Sequence, residues 1–260
     1  MNGPIKLATP ILLTLIRRYG GEPHPTLSGM ATWYDDSVQR TIDQEVNALL
    51  ARHGLMGPRG VDRDLRGLVE SIARPQLEYY GWFEGQFPDA PAKFSVLAGS
   101  GSGGAFVLVC TLTEGSVILA PERPQELLAG FLAQIPAGRA AGGQPLIAPK
   151  AEYLNGRRAV AEGEFSVMRP ANATAVPDPA KQMKQIMESE RTGAGSVYVA
   201  ARTRAGTRRR NERPVNFIDA TGGRWLMEER PGRGDPLMVF TPGTPQAIAE
   251  RLRNAQSALG

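Results

Sequence analysis

Few residues in this 260-residue chain have the types and spacing that catalysis or metal binding requires. His24 and His53 are the only histidines, neither lies in an H-x-x-x-H or C-x-x-C pattern, and Cys110 is the only cysteine. The sequence therefore lacks ligands for a zinc site, and no G-x-S-x-G turn is present to carry a nucleophilic serine. A carboxylate-only active site has no support in the sequence either. We expect no enzyme activity, no metal and no cofactor.

His24 and Cys110 are both predicted to be structural residues without a chemical function. His24 lies between Pro23 and Pro25, which predicts a solvated loop histidine. Cys110 ends the apolar run FVLVC, which is typical of a buried strand. A single cysteine excludes an internal disulfide and fits a reducing compartment, so we expect a cytoplasmic protein. No apolar run approaches the roughly 20 residues of a membrane span, so no membrane insertion is expected.

Three glycines, Gly99, Gly101 and Gly104, satisfy the pattern G-x-G-x-x-G. A dinucleotide-binding loop of this kind needs a helix after it, because the N–H groups of the first helical turn hold the pyrophosphate. Here the segment AFVLVCTL follows, which has the composition of a strand. The glycines therefore predict the flexible tip of a hairpin.

An arginine-rich segment runs from residue 202 to residue 213 and could hold nucleic-acid phosphates. However, the net charge is only +4, and no aromatic platform alternates with the arginines in the sequence. We interpret the segment as a solvated hairpin tip, and we expect Arg208, Arg209 and Arg210 to be exposed and needed neither for folding nor for the capture of a protein partner. Nucleic-acid binding through the Arg202–Arg213 hairpin remains the alternative function.

The segment PAKQMKQIMESER, residues 179–191, places Met183, Ile186 and Met187 on one face of a predicted helix. Such a stripe is often an ordinary part of a core. It could instead be a docking surface, since methionine side chains repack around apolar partners.

The hydrophobic period changes along the chain and predicts an α+β fold. Helices are expected over 9–20, 36–53 and 62–73. Two sets of four antiparallel strands follow, each set ending in a helix. The first set is LEYYGWFEGQ, AKFSVLA, AFVLVCTL and SVILA with a helix over 124–135. The second set, after a predicted short helix at KAEYLNG and the methionine-bearing helix, is GSVYVAARTR, RPVNFID, GRWLMEE and PLMVF with a helix over 245–259.

The two sets share a corner from strand to helix. Shifting the chain by about 121 residues superposes Pro121 on Pro242, and both following helices begin with proline after Arg123 or Thr244. We predict two related β4α-type halves about a pseudo-two-fold, sharing a mostly antiparallel central sheet with helices on one face and at the ends. The whole chain, 1–260, would be one domain, with halves of about 1–138 and 139–260.

The order of these segments resembles the EspG family of type VII (ESX) secretion chaperones. In the first half the resemblance lies in RPQLEYYGWFEG, FSVLAGSGSGGAFVLVCTLTEGSVILA and PERPQELLAGFLAQIP. In the second half it lies in the arginine-rich hairpin, in the G-R-aromatic strand GRWLMEE and in the closing helix FTPGTPQAIAERL. The link GSGSGG is shorter than in the longer chaperones of PE–PPE proteins.

The resemblance implies a cytosolic, non-enzymatic chaperone that binds the hydrophobic tip of a PPE protein within a PE–PPE heterodimer, or a related helical ESX substrate. It would keep this client soluble and direct it to secretion, working as a monomer or weak homodimer. In the family the partner meets the central sheet and the C-terminal helical bundle. On this chain that implies partner contacts at Met183, Ile186, Met187, Phe217, Trp225, Met227 and Glu229.

Overall fold

The computed structural model describes residues 3–29, 35–155 and 178–260. The prediction of an α+β fold with a large, mostly antiparallel sheet is confirmed. The strands are β1 (Ile5–Ala8), β2 (Met56–Gly57), β3 (Gly60–Val61), β4 (Leu77–Gly85), β5 (Lys93–Gly101), β6 (Gly104–Thr111), β7 (Ser116–Glu122), β8 (Leu146–Pro149), β9 (Arg191–Arg202), β10 (Arg208–Arg210), β11 (Val215–Ala220), β12 (Gly223–Arg230) and β13 (Leu237–Pro242). The helices are α1 (Thr9–Arg18), α2 (Pro25–Ser28), α3 (Asp36–Arg52), α4 (Arg63–Ala73), α5 (Leu127–Leu132), α6 (Lys150–Asn155), α7 (Pro179–Glu188) and α8 (Pro245–Ser257).

The strand order is β1-β7-β6-β5-β4-β9-β11-β12-β13-β8, with β10 beside β9 and β2 paired with β3 in a separate hairpin. From the centre outward, the order β4-β5-β6-β7-β1 corresponds to β9-β11-β12-β13-β8. Both edge strands, β1 and β8, also lead directly into a helix. This correspondence supports the predicted relation between the halves, while the two-fold axis and the division near residue 138 stay predictions. The sequence did not predict the short strands β1, β8 and β10.

The chain forms two compact units. Unit 1 consists of Met1–Pro136, Ser196–Pro214 and Ala249–Gly260, and unit 2 of Ala137–Gly195 and Val215–Ile248. Among the described residues of both units, no helix is long and apolar enough to cross a bilayer.

In unit 1, α4 packs on β5 and β6 and α1 packs on β7, while α3 packs against α1 and β2. Asp35 and Asp62 start α3 and α4, each accepting hydrogen bonds from two backbone N–H groups of the first turn. The apolar stripes predicted for these helices supply the core. Its fully buried members include Leu12, Leu15, Leu50, Leu65, Phe106 and Leu119.

Helix α5 of unit 1 packs on β4, β5 and β6 and buries Leu127 and Phe131. The helix predicted over 124–135 begins as a 3₁₀ turn and becomes α-helical only at Leu127. The corresponding corner of α8 is capped by Thr244, whose hydroxyl accepts a hydrogen bond from the Ala247 N–H at 3.0 Å. Arg123 has the same position before α5 but makes no side-chain cap.

In unit 2, the helices α6 and α7 pack beside the strands β8 and β13. The register of β12 against β11 pairs Trp225 with Ile218, and its register against β13 pairs Met227 with Phe240. Because paired residues of antiparallel strands point to the same face, these side chains form one apolar surface. The helices cover it, and the buried core consists of Ala141, Ala148, Tyr153, Ala180, Met183, Ile218, Trp225 and Phe240.

The glycine-rich segment is a hairpin between β5 and β6, as predicted, with Gly101 opposite Gly104. Its tip packs against α4 in place of the flexible arrangement that we expected. The Gly103 N–H donates to Ser71 Oγ at 3.1 Å, and a Cβ on Gly103 would stand only 1.9 Å from the Gly67 carbonyl oxygen. Two glycines are therefore needed where the hairpin touches the helix.

Gly103→Ala should destabilise unit 1, because the added methyl overlaps the backbone of α4. We expect a loss of about 1–3 kcal/mol of unfolding free energy, the usual cost of overpacking, measured by urea denaturation. Gly222→Ala is the matched control, since nothing lies within 4 Å of its Cβ position. Equal stability of the two variants would contradict the tight contact.

Candidate interaction surfaces

The structure places the methionine-bearing helix against the core of unit 2. Asp178 starts α7 by accepting a hydrogen bond from the Ala180 N–H, and Pro179 occupies the first helical position. Met183 is fully buried. It is therefore a core residue in this structure, as in the ordinary interpretation of the stripe, and is not exposed to a partner.

Ile186 and Met187, the other two predicted contacts on α7, are half-buried at the rim of the same core. Met227 of β12 is also half-buried there. Together Ile186, Met187 and Met227 form what we call the unit 2 rim. It combines flexible apolar side chains with partial exposure, which is the combination that an adaptable docking surface needs.

The predicted residues of the strands lie on two opposite faces. Every second residue of β12 points to the same face, and Trp225, Met227 and Glu229 share one face. Phe217 of β11 pairs with Leu226 and points to the other face. Trp225 and Phe217 are both buried. Glu229 is half-buried and accepts a hydrogen bond from Lys150 Nζ at 2.7 Å. The structure thus brings Trp225 and Met227 next to the Met183 cluster but separates Phe217 from them.

The G-R-aromatic segment, whose function the sequence left open, organises the Phe217 face. The Arg224 guanidinium lies 4.1 Å from the centre of the Phe217 ring and donates to both carboxylate oxygens of Asp219, at 2.7 and 2.8 Å. Gly223 has a φ of +111° and faces the Ala140 carbonyl, where a Cβ would be 2.8 Å from the oxygen. This segment is structural, because its arginine is buried and paired.

The interpretation of His24 as a solvated histidine is wrong. Its side chain is buried, and its Nδ1 accepts a hydrogen bond from the Thr26 N–H at 3.2 Å, so it caps helix α2. The Nε2 atom lies 3.5 Å from Oε2 of the buried Glu78, and the ring meets Tyr80 edge to face. Pro25 at the first helical position was the missed sequence signal, since it identifies the preceding residue as a cap.

The arginine hairpin is attached to this buried cluster. Arg208 Nε donates to Glu78, whose side chain is only 2% exposed, and the guanidinium also lies over the Tyr80 ring. The expectation that Arg208 is dispensable therefore needs correction, because removing it would leave a buried carboxylate without its cation. Arg209 and Arg210 are exposed, as predicted.

Aromatic rings do lie beside the arginines in space, which the sequence did not indicate. Arg210 lies over Tyr198 at 4.7 Å from the ring centre, and Tyr198 stacks on Tyr80 at 5.4 Å. Trp82 meets both tyrosines edge to face. The rings come from β4 and β9, so their distance in sequence from the arginines of β10 hid the arrangement.

Burial and charge displace two pKa values in the cluster. Burial, reinforced by the positive charge of Arg208, lowers the pKa of His24 from 6.5 to about 3. Burial raises the pKa of Glu78, although the Arg208 charge and hydrogen bond oppose this. At neutral pH His24 is therefore an uncharged cap.

Two further candidates for chemistry are the single cysteine and possible groups of metal ligands. Cys110 is buried in β6, as predicted, and burial raises the pKa of its thiol. In the ranges that the structure describes, no group of three or more His, Cys, Asp or Glu side chains is placed to hold a metal ion.

Comparison with known proteins identifies relatives of the whole chain. A family model described as the EspG family matches residues 12–254. Among solved structures, the chain is similar to the Mycobacterium tuberculosis type VII secretion system chaperone EspG5, solved in complex with a PE25–PPE41 dimer. The TM-score is 0.69 at 14% identity, covering 99% of this chain and 97% of that one. No curated protein sequence matches.

Arg208→Ala should destabilise the protein, whereas Arg209→Ala should not. Breaking a buried ion pair typically costs 3–5 kcal/mol, and because 32% of the Arg208 side chain is exposed we expect about 2–3 kcal/mol. The Arg209→Ala variant is the control, because it removes the same charge from the same strand. Urea denaturation at pH 7 measures both, and equal midpoints would show that the Glu78 contact does not stabilise the fold.

In the His24→Asn variant, the free energy of unfolding should fall less than in wild type as the pH is lowered. Below pH 6.5 the unfolded chain protonates His24, while the folded chain keeps it neutral down to about pH 3. This residue should therefore lower the free energy of unfolding by about 1.4 kcal/mol for each pH unit between these values. The asparagine amide oxygen can still accept the Thr26 N–H, so the cap is preserved.

Glu78 acts in the opposite direction, because its pKa is raised on folding. The stabilisation that Glu78 contributes is fully present below pH 4.5, and it is lost as the pH rises through the pKa of Glu78 in the folded state. The free energy of unfolding is measured at pH 7, 6 and 5 for both proteins. Its decrease toward acid pH should be smaller for His24→Asn than for wild type, or should become an increase. Parallel slopes would contradict a buried neutral His24.

Proposed function

The chain belongs to the EspG family, and on this premise we propose that it is a type VII secretion chaperone of a PE–PPE heterodimer or a related helical ESX substrate. The observation that carries the proposal is the match of both comparisons over nearly the whole chain. The solved relative holds a PE–PPE dimer. The chaperone would cover the apolar tip of the PPE protein, keep the pair soluble and direct it to secretion.

The surface that we propose for this task includes the unit 2 rim. Ile186, Met187 and Met227 are half-buried, so each can give apolar area to a partner without leaving its own core. The Lys150–Glu229 pair supplies charges on the Met227 face, where polar groups would discriminate among clients. An interface of about 800 Å² per partner is sufficient for a stable complex.

We further propose that the protein acts in the cytoplasm, without enzyme activity, as a monomer or weak homodimer. The relatives are chaperones, and the described part of the chain has a buried thiol and no group of metal ligands. Met183 and Trp225 would support the binding surface from within, since both are buried in the core beneath the rim, whereas the buried Phe217 lies on the opposite face of the sheet.

Nucleic-acid binding is the second candidate, because the arginines of β10 stack on aromatic rings. The same contacts limit this function. Arg208 is neutralised by Glu78, Tyr80 is buried, and Tyr198 is already stacked on Tyr80. Single-strand binding requires free ring faces for successive bases. A gel shift over a range of salt concentrations separates this function from client binding.

Co-expression with a PE–PPE pair encoded beside this gene should yield a complex that survives purification. Because apolar contact dominates, the complex should persist at about 0.5 M salt, where charges are screened beyond a few ångströms. Failure to capture any neighbouring ESX substrate, or its release as salt rises, would contradict the proposal.

Ile186→Asp combined with Met227→Lys should remove client binding. The charges would be buried without partners in the complex, and the loss should reach several kcal/mol. Lys181→Glu, an exposed change on the same helix, is the control and should retain the client. Circular dichroism establishes that each variant folds, and Met187→Asp serves as a milder substitute at the rim if the double variant does not. Retention of the client by the folded variants would place binding elsewhere.

A further inference from the structure

A second candidate surface lies in unit 1, on the face of β4 and β9 that carries Trp82 and Tyr198. Both side chains are half-buried, and their rings meet edge to face at 6.0 Å between centres. The Arg210 guanidinium lies 4.7 Å from the centre of the Tyr198 ring, and Arg210 is an exposed residue. We call these three residues the Trp82–Tyr198–Arg210 patch.

The polar atoms of this patch have no partners within the described part of the chain. No described residue accepts a hydrogen bond from the Trp82 indole or from the Arg210 guanidinium, and none bonds the Tyr198 hydroxyl. Neither the indole nitrogen nor this hydroxyl is among the buried unpaired atoms, so both reach the surface. Arg208, two residues away, differs because its guanidinium is held by Glu78.

Tryptophan, tyrosine and arginine are the residues that dominate the binding energy of protein interfaces. Here the arginine is already ordered by its stacking on Tyr198, which reduces the entropy lost when it binds. A stacked guanidinium presents its planar N–H groups for a bidentate bond to a carboxylate. The flanking rings offer apolar area beside that bond. The matching ligand therefore carries an acidic side chain next to apolar ones.

A nucleic acid fits the patch less well than a protein does. The Tyr198 ring is stacked on Tyr80 and lies beneath Arg210, so it cannot also hold a base. The positive charge of Arg208 is opposed by a buried carboxylate. Stacking and phosphate neutralisation are the two terms on which single-strand binding depends, and both are weakened here.

We propose that the Trp82–Tyr198–Arg210 patch is a second client contact, which receives an apolar helix tip carrying a carboxylate. This inference rests on the proposed chaperone function and adds to it a polar anchor point. Within the patch, Trp82 and Tyr198 would give apolar area to the tip, and Arg210 would select clients by the position of an acidic residue.

The test measures the Kd of purified client pair for wild type, Arg210→Glu and Arg209→Glu. Arg210→Glu should weaken binding by at least about 30-fold, the effect of losing one dominant interface arginine and repelling the client carboxylate. Arg209→Glu makes the same charge change on the neighbouring residue and should stay within about twofold of wild type. Thermal unfolding should be similar for the two variants.

A charge swap then identifies the partner group. Acidic residues of the client tip are changed to arginine one at a time, and one of these variants should restore binding to Arg210→Glu while weakening binding to wild type. Capture by wild type that Arg210→Glu leaves unchanged overturns this inference alone. Absence of capture by wild type overturns the proposed function and the inference with it. Retention of nucleic acid that Arg210→Glu abolishes would assign the patch to the alternative function.

Discussion

The buried carboxylate of Glu78 is the constraint on which the organisation of unit 1 depends. An ionised carboxylate with 2% side-chain exposure is stable only with a cation beside it, and Arg208 supplies that cation from a strand 130 residues later in the chain. His24, from a third segment, closes the other side as an uncharged ring. The ion pair thereby adds a side-chain link between residues 196–214 and β4, which already adjoin through the pairing of β4 with β9 in unit 1.

The arginines of the hairpin therefore have different structural roles. Arg202 donates to the Pro75 and Gly206 carbonyls and Arg208 neutralises Glu78, so both hold the hairpin in place. Arg210 stacks on the half-buried ring of Tyr198 and keeps its N–H groups available. A count of basic residues treats these side chains alike, although only some of their charge can reach a partner.

The sequence predicted the long elements well, because each has a strong apolar period. The stripe of α4, formed by Leu65, Leu68, Val69 and Ile72, is an example. The edge strands β1 and β8 were missed since four residues are too few to show an alternation. Placing Phe217 with Trp225 required the register between β11 and β12, which tertiary pairing decides. The His24 cluster was hidden because its members are far apart in sequence.

The corresponding strand orders of the two halves do not imply corresponding surfaces. On β12 of unit 2, the face bearing Trp225 and Met227 is covered by the methionine-bearing helix, which leaves an apolar rim. On β4 and β9 of unit 1, the rings of Trp82 and Tyr198 remain half-exposed beside a stacked arginine. Divergence of side chains is sufficient to produce this difference, because strand order fixes the backbone and leaves each face free to vary.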